Sequence, residues 1–212
     1  MPWTALTLFL VQAVGISMSG VMAPGPVTAV TIAMGQRRRH AGAWVAVGHG
    51  IVEFPLMALI IVGLGRVFEI AGVRAAIGLA GGVMLIWMGV GMLRASRRAA
   101  TTAPAAARRG PVATGIILSA GNPYFLLWWA TVGLALATRA AQWGIGAFAL
   151  FAVLHWLCDL VWLEALSWTS FKGSRLFGRR SERIVLAVCG AALVVFAALF
   201  FYRAGAELAG PR

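Results

Sequence analysis

The chain is poor in acid and poor in charge altogether. Six Asp and Glu residues stand against 18 Lys and Arg in 212 residues, and charged side chains make up 11%. A soluble globular domain carries about 25%, so a water-exposed surface is excluded for most of the chain. There are two cysteines, Cys158 and Cys189, each inside an apolar stretch. They read as core packing, not as a disulfide framework. No GxxxxGK[ST] phosphate loop and no GxSxG elbow occurs, which leaves a gradient as the energy source for any pump. No charged residue lies between Met1 and Arg37. Without a basic n-region or a cleavage site, the first apolar block reads as a retained span.

What remains is hydrophobic, at 61% of the residues, and it is gathered into blocks. A bilayer core about 30 Å thick takes about 20 apolar residues per helix. Six blocks meet that length, at 4–34, 42–64, 70–93, 111–137, 142–170 and 184–202. The expected fold is an all-α integral membrane protein of six spans, with no separate soluble domain. The formal charge of +12 is not a nucleic-acid signature, because 13 of the 18 basic residues fall in three short connections, at 37–39, 94–109 and 172–183. By the positive-inside rule these face the cytoplasm, with both termini outside. The arginines there serve topology and meet lipid headgroups.

The segment RASRRAATTAPAAARRG, residues 94–110, is a basic linker that divides the chain into a first unit, 1–93, and a second, 111–212. Each unit holds three spans. With an odd number, a shared fold requires the second unit to be inverted across the membrane, an architecture of secondary transporters. Matching interruptions support the repeat. Span 1 carries Ala-Pro-Gly-Pro at 23–26 and span 4 carries Gly-Asn-Pro at 121–123. Span 2 carries His49 and Glu53, and span 5 carries His155 and Asp159, each pair at i and i+4.

Pro24 and Pro26 lack amide protons and release the carbonyls of Gly20 and Met22, and Pro123 releases that of Ser119. Unpaired backbone in hydrocarbon costs several kcal/mol, so helices 1 and 4 are expected to break at an internal cavity. Pro24, Gly25, Pro26, Asn122 and Pro123 are therefore candidate substrate-binding positions. Pro55 releases the carbonyl of Ile51, which suggests a third break in span 2. Spacing of i and i+4 places each His and acid on one helix face. Ionisable groups at membrane depth mark ion or substrate pathways, so His49, Glu53, His155 and Asp159 are candidate proton-coupling residues. Among the remaining residues, Glu164 reads as snorkelling or packing and His40 as solvated. Trp3, Trp44, Trp143 and Trp168 read as interfacial anchors. Gly78, Gly82, Gly89 and Gly91 read as sites of close helix approach.

With APGP in the first span, GAWVAVGHGIVEF at 42–54 and GNPYFLLWW at 121–129, the chain resembles the lysine exporter (LysE/RhtB-type) translocator family over nearly its whole length. The resemblance implies a cytoplasmic-membrane exporter of amino acids or related small metabolites, driven by the proton gradient, built from two inverted halves and forming a homodimer. Tyr124 stands where that family usually carries a lysine, and the two His-acid pairs are not a feature of its typical amino-acid exporters.

Two alternatives stay open at this point. The same four residues, His49, Glu53, His155 and Asp159, would suit a divalent metal ion as cargo. A membrane enzyme or structural subunit is the third reading, although no nucleophile sits at helical spacing from a base. No cofactor is expected, and the partners are a small-molecule substrate, membrane lipids and a second copy of the chain.

Overall fold

The computed structural model describes residues 2–68, 70–97 and 109–209. Residues 98–108, the greater part of the basic linker 94–110, lie outside the described residues. The described residues form helices joined by short turns, as hydrocarbon demands of a backbone that must pair its own polar groups. The elements are α1 (Pro2–Val21), α2 (Pro26–Gly35), α3 (Ala41–Leu59), a π-helical stretch Ile60–Leu64, α4 (Gly65–Phe68) and α5 (Ala71–Arg97) in the first unit. In the second they are α6 (Pro111–Ala120), α7 (Pro123–Trp128), a π-helical stretch Trp129–Gly133, α8 (Leu134–Ala141) and α9 (Ile145–Leu208).

Six segments are long and apolar enough to cross a membrane: Trp3–Val21, Ala41–Gly63, Gly72–Arg97, Pro123–Ala141, Ile145–Gly173 and Arg183–Ala206. The boundaries differ from the sequence expectation in the first and fourth spans. The block 4–34 divides into α1 and the ten-residue α2, and the block 111–137 begins with the ten-residue α6 before the long segment starts at Pro123. Prolines set these starts. Pro26, Pro111 and Pro123 each occupy the first helical turn, where a missing amide proton costs nothing and φ is already helical. Pro55 does not break span 2 as expected. Helix α3 runs through it to Leu59, and the chain leaves α geometry only at Ile60–Leu64, where Gly63 takes φ +144°. That angle is open to glycine and strained for other residues.

The last two spans, Ile145–Gly173 and Arg183–Ala206, both lie within α9, Ile145–Leu208. It is not a straight rod. Asp159 and Leu193 line the same cavity, yet a straight helix would hold them about 51 Å apart at 1.5 Å per residue. The run therefore doubles back between its two spans.

Small residues bring the helices close. A Cβ at Gly115 of α6 would lie 2.9 Å from the backbone nitrogen of His49 and 3.0 Å from Cα of Gly48, so α3 and α6 touch backbone to backbone. Gly35 of α2 packs on Ser167, and Gly42 of α3 on the carbonyl of Leu163, both in α9. Gly89 of α5 faces Gly190, where a Cβ on either would meet the other's carbonyl oxygen at 2.8 Å. Gly78 and Gly82 likewise meet Ala204 and Phe201, whereas Gly91 has open space around it. These contacts place the middle of α3 against α6, and the later part of the first α9 span against α2 and the start of α3.

Candidate functional site

At the first interruption the chain leaves α1 at Val21 and re-enters a helix at Pro26, with Gly25 fully extended at the N-cap. The carbonyl of Gly20 is not left free, because Ala23 N donates to it at 3.1 Å. At the second interruption Asn122 N donates to the carbonyl of Ser119, also at 3.1 Å. The turns thus satisfy locally two of the carbonyls that proline releases. The helix starts differ in their capping. The side chain of Asn122 accepts from Tyr124 N at 3.1 Å and closes the N-terminus of α7, whereas no side chain caps α2.

The four intramembrane ionisable residues meet at one place. His49 Nε2 lies 3.1 Å from Glu53 Oε1 on the same helix, and His155 Nε2 reaches the same oxygen from α9 at 3.2 Å. Trp129, in the π-helical stretch of the second unit, donates its Nε1–H to that oxygen at 3.2 Å. Asp159 stands further off, with Oδ1 3.7 Å from His49 Nε2 and Oδ2 3.8 Å from His155 Nε2. The distal ring nitrogens are held as well. His49 Nδ1 is 2.6 Å from Ser119 Oγ, and His155 Nδ1 is 2.7 Å from Ser17 Oγ. All six of these polar residues are buried, Glu53 completely. Glu53 Oε2 and Asp159 Oδ2 have no hydrogen-bond partner among the described residues.

These groups border a cavity of about 80 Å3. Its wall includes Pro24, Gly25, Pro26 and Asn122 from the interruptions, together with His49, Glu53, His155 and Asp159. Pro123 lies beside it, against α5, where a Cβ at Gly81 would approach its ring at 3.0 Å. Tyr124, Phe125, Trp128, Trp129 and Phe196 supply apolar faces, and no Lys or Arg lines the cavity among the described residues. The space is about half the 150 Å3 that accommodates benzene in an engineered protein cavity, so this conformation suits a compact polar guest. Aromatic rings fix the imidazoles from the side: Trp128 stacks on His155 with centroids 5.0 Å apart, and Phe125 meets His49 edge-on at 5.0 Å.

Three contributors escape a reading of sequence alone. Ser17, Ser119 and Trp129 are ordinary residues of apolar blocks, and only the contacts between spans give them roles. Two other readings are corrected. His40 is not simply solvated, since its Nδ1 bonds Glu164 Oε1. Glu164 is more than a snorkelling residue, because its other oxygen also accepts from Ala43 N at 3.0 Å and so caps the start of α3 from α9.

The family model described as LysE type translocator matches residues 18–204. The chain is also similar to the "Putative amino acid efflux protein YcgF" of Bacillus subtilis (strain 168), 24% identical over 201 residues, covering 92% of this chain and 95% of that protein. No solved structure matches.

Proposed function

The chain belongs to the LysE type translocator family, and we propose that this multi-pass membrane protein exports amino acids or related small metabolites across the cytoplasmic membrane in exchange for protons. One observation carries the reading: both helix interruptions and both His-acid pairs border a single cavity. Interrupted helices and paired ionisable residues at membrane depth are the elements from which secondary transporters build a central site.

An amino acid is complementary to this wall. Its ammonium group suits the unpartnered oxygens of Glu53 and Asp159. Its carboxylate finds no basic side chain among the described residues of the wall, and is left with the uncapped N-terminus of α2, where backbone N–H groups and the helix dipole favour an anion. The counterpart at α7 is already occupied by Asn122, so the carboxylate is assigned to the α2 side. Protons and ammonium then compete for the same two carboxylates, which is the basis of exchange. His49 and His155 hold the competing proton close to Glu53.

An inverted repeat accords with the contacts around the histidines. His49 of the second span bonds Ser119 of the fourth, and His155 of the fifth bonds Ser17 of the first. Exchanging the halves converts one contact into the other. In that arrangement the basic connections face the cytoplasm and both termini lie outside.

The test is efflux from inverted vesicles, or from liposomes holding the purified protein, with a panel of labelled amino acids and an imposed pH gradient. Gradient-dependent movement of at least one amino acid is expected, lost in Asp159→Asn. Movement that ignores the gradient refutes proton exchange. No movement of any amino acid refutes the cargo.

A further inference from the structure

We propose that His49, Glu53, His155 and Asp159 form a binding site for a divalent transition-metal ion, with two imidazole nitrogens and two carboxylates as ligands. The proposal rests on ligand geometry and holds whether or not the cargo is an amino acid.

Tetrahedral sites with nitrogen and oxygen ligands have metal–ligand bonds of about 2.0–2.1 Å, so neighbouring ligand atoms stand about 3.3–3.4 Å apart. The four cross-distances here are 3.1 and 3.2 Å from the two Nε2 atoms to Glu53, and 3.7 and 3.8 Å from them to Asp159. They bracket the tetrahedral value, with Glu53 meeting both histidines through one oxygen and Asp159 meeting His49 through Oδ1 and His155 through Oδ2. His49, Glu53 and Asp159 offer ligand atoms within 4.8 Å of one another.

The surroundings point the same way. Ligating histidines ordinarily bond their second ring nitrogen to a nearby polar group, which fixes ring orientation. Both histidines do so here, through the buried hydroxyls of Ser119 and Ser17, and each contact turns Nε2 toward the centre. Glu53 Oε1 is further held by Trp129. The buried oxygens Glu53 Oε2 and Asp159 Oδ2 are without partners among the described residues and border the cavity. With both imidazoles neutral, as ligands must be, the two carboxylates leave a charge that a dication balances, and no Lys or Arg lines the wall among the described residues. Mixed imidazole and carboxylate ligands select zinc, cobalt or nickel, while calcium and magnesium take all-oxygen shells.

The experiment uses the full-length protein in detergent, stripped with chelator and titrated with Co2+, whose visible spectrum reports coordination geometry. One Co2+ per chain with an intense tetrahedral spectrum, displaced by Zn2+, is the expected result. Asp159→Asn and the double variant His49→Ala/His155→Ala should each lose the tetrahedral spectrum, the former keeping the protein's packing because Asp159 makes only the longer contacts. Ser17→Ala and Ser119→Ala keep every ligand and should weaken Co2+ binding about 10–100-fold each. His40→Ala, at the only other His–acid pair among the described residues, should leave it unchanged. No saturable Co2+ binding, or tetrahedral binding that survives Asp159→Asn, overturns the proposal. So does binding that disappears in His40→Ala. A protein that binds Co2+ but moves no amino acid would refute the export reading alone, and one that exports but binds no Co2+ would refute this one alone.

Discussion

Glu53 and Asp159 look interchangeable along the chain, each four residues after a histidine, and replacing them by their amides should separate them. Glu53 Oε1 takes contacts from His49, His155 and Trp129 at 3.1–3.2 Å, linking α3 to the second unit. Asp159 approaches the same histidines at 3.7 and 3.8 Å, beyond hydrogen-bond length. Polar contacts between membrane helices average about 0.6 kcal/mol each, with a maximum near 1.7. Two of them, from His155 and Trp129, with the intrahelical i, i+4 pair to His49, put the loss in Glu53→Gln at about 2 kcal/mol. It would rise toward 3–5 kcal/mol if the substitution strands a buried charge on a histidine. At roughly 2–4 °C per kcal/mol for a chain of this size, the lower figure is a fall of roughly 4–8 °C in Tm. Asp159→Asn breaks no short contact and should stay within about 1–2 °C by the same conversion. Thermal unfolding of both variants in detergent, alongside gradient-driven efflux, gives the comparison. Efflux should be lost in both, but stability only in Glu53→Gln. Equal destabilisation by the two amides would refute the division of roles, and wild-type efflux by either would refute the coupling.

Other consequences can be measured directly. Gly115→Leu forces a side chain into the carbonyl of Val45 and the backbone of Gly48, and should cost about 1–3 kcal/mol or more, whereas Gly91→Ala enters open space inside α5 and should hold or slightly raise Tm. Asn122→Ala removes the cap from α7 and should cost about 1 kcal/mol, read as a lower Tm together with a raised KM for efflux if the half-helix start positions the cargo. Glu164→Gln weakens a half-exposed contact to His40, worth about 0.2–1 kcal/mol. It should lower Tm only slightly, an effect suppressed at high salt, with efflux rates retained.

Much of this protein follows from one-dimensional chemistry. Length and hydropathy of the blocks require membrane helices, because a backbone in hydrocarbon can pair its polar groups only internally. Ile51, freed by Pro55, shows the limit of proline arithmetic. The same ring that starts α2, α6 and α7 passes through the interior of α3, since one missing hydrogen bond is tolerable where flanking helices support the turn. Helical spacing placed His49 beside Glu53 and His155 beside Asp159, and both pairs at membrane depth.

Spacing could not say that the two pairs face each other. That depends on α3 and α9 meeting through Gly42 and Leu163, on α6 lying against α3 at Gly48 and Gly115, and on α9 turning back on itself. These are close approaches between residues far apart in the chain, and small side chains permit them without naming a partner. Hence Ser17, Ser119 and Trp129 carry no mark in the sequence. Each is fixed by the histidine or carboxylate that packing brings within 2.6–3.2 Å of it. Composition and periodicity determined a six-span membrane protein with ionisable groups at its centre. The tertiary structure alone decided that those groups share one cavity, that Glu53 is the hub of the cluster and Asp159 its looser member, and that α2, unlike α7, starts there without a side-chain cap.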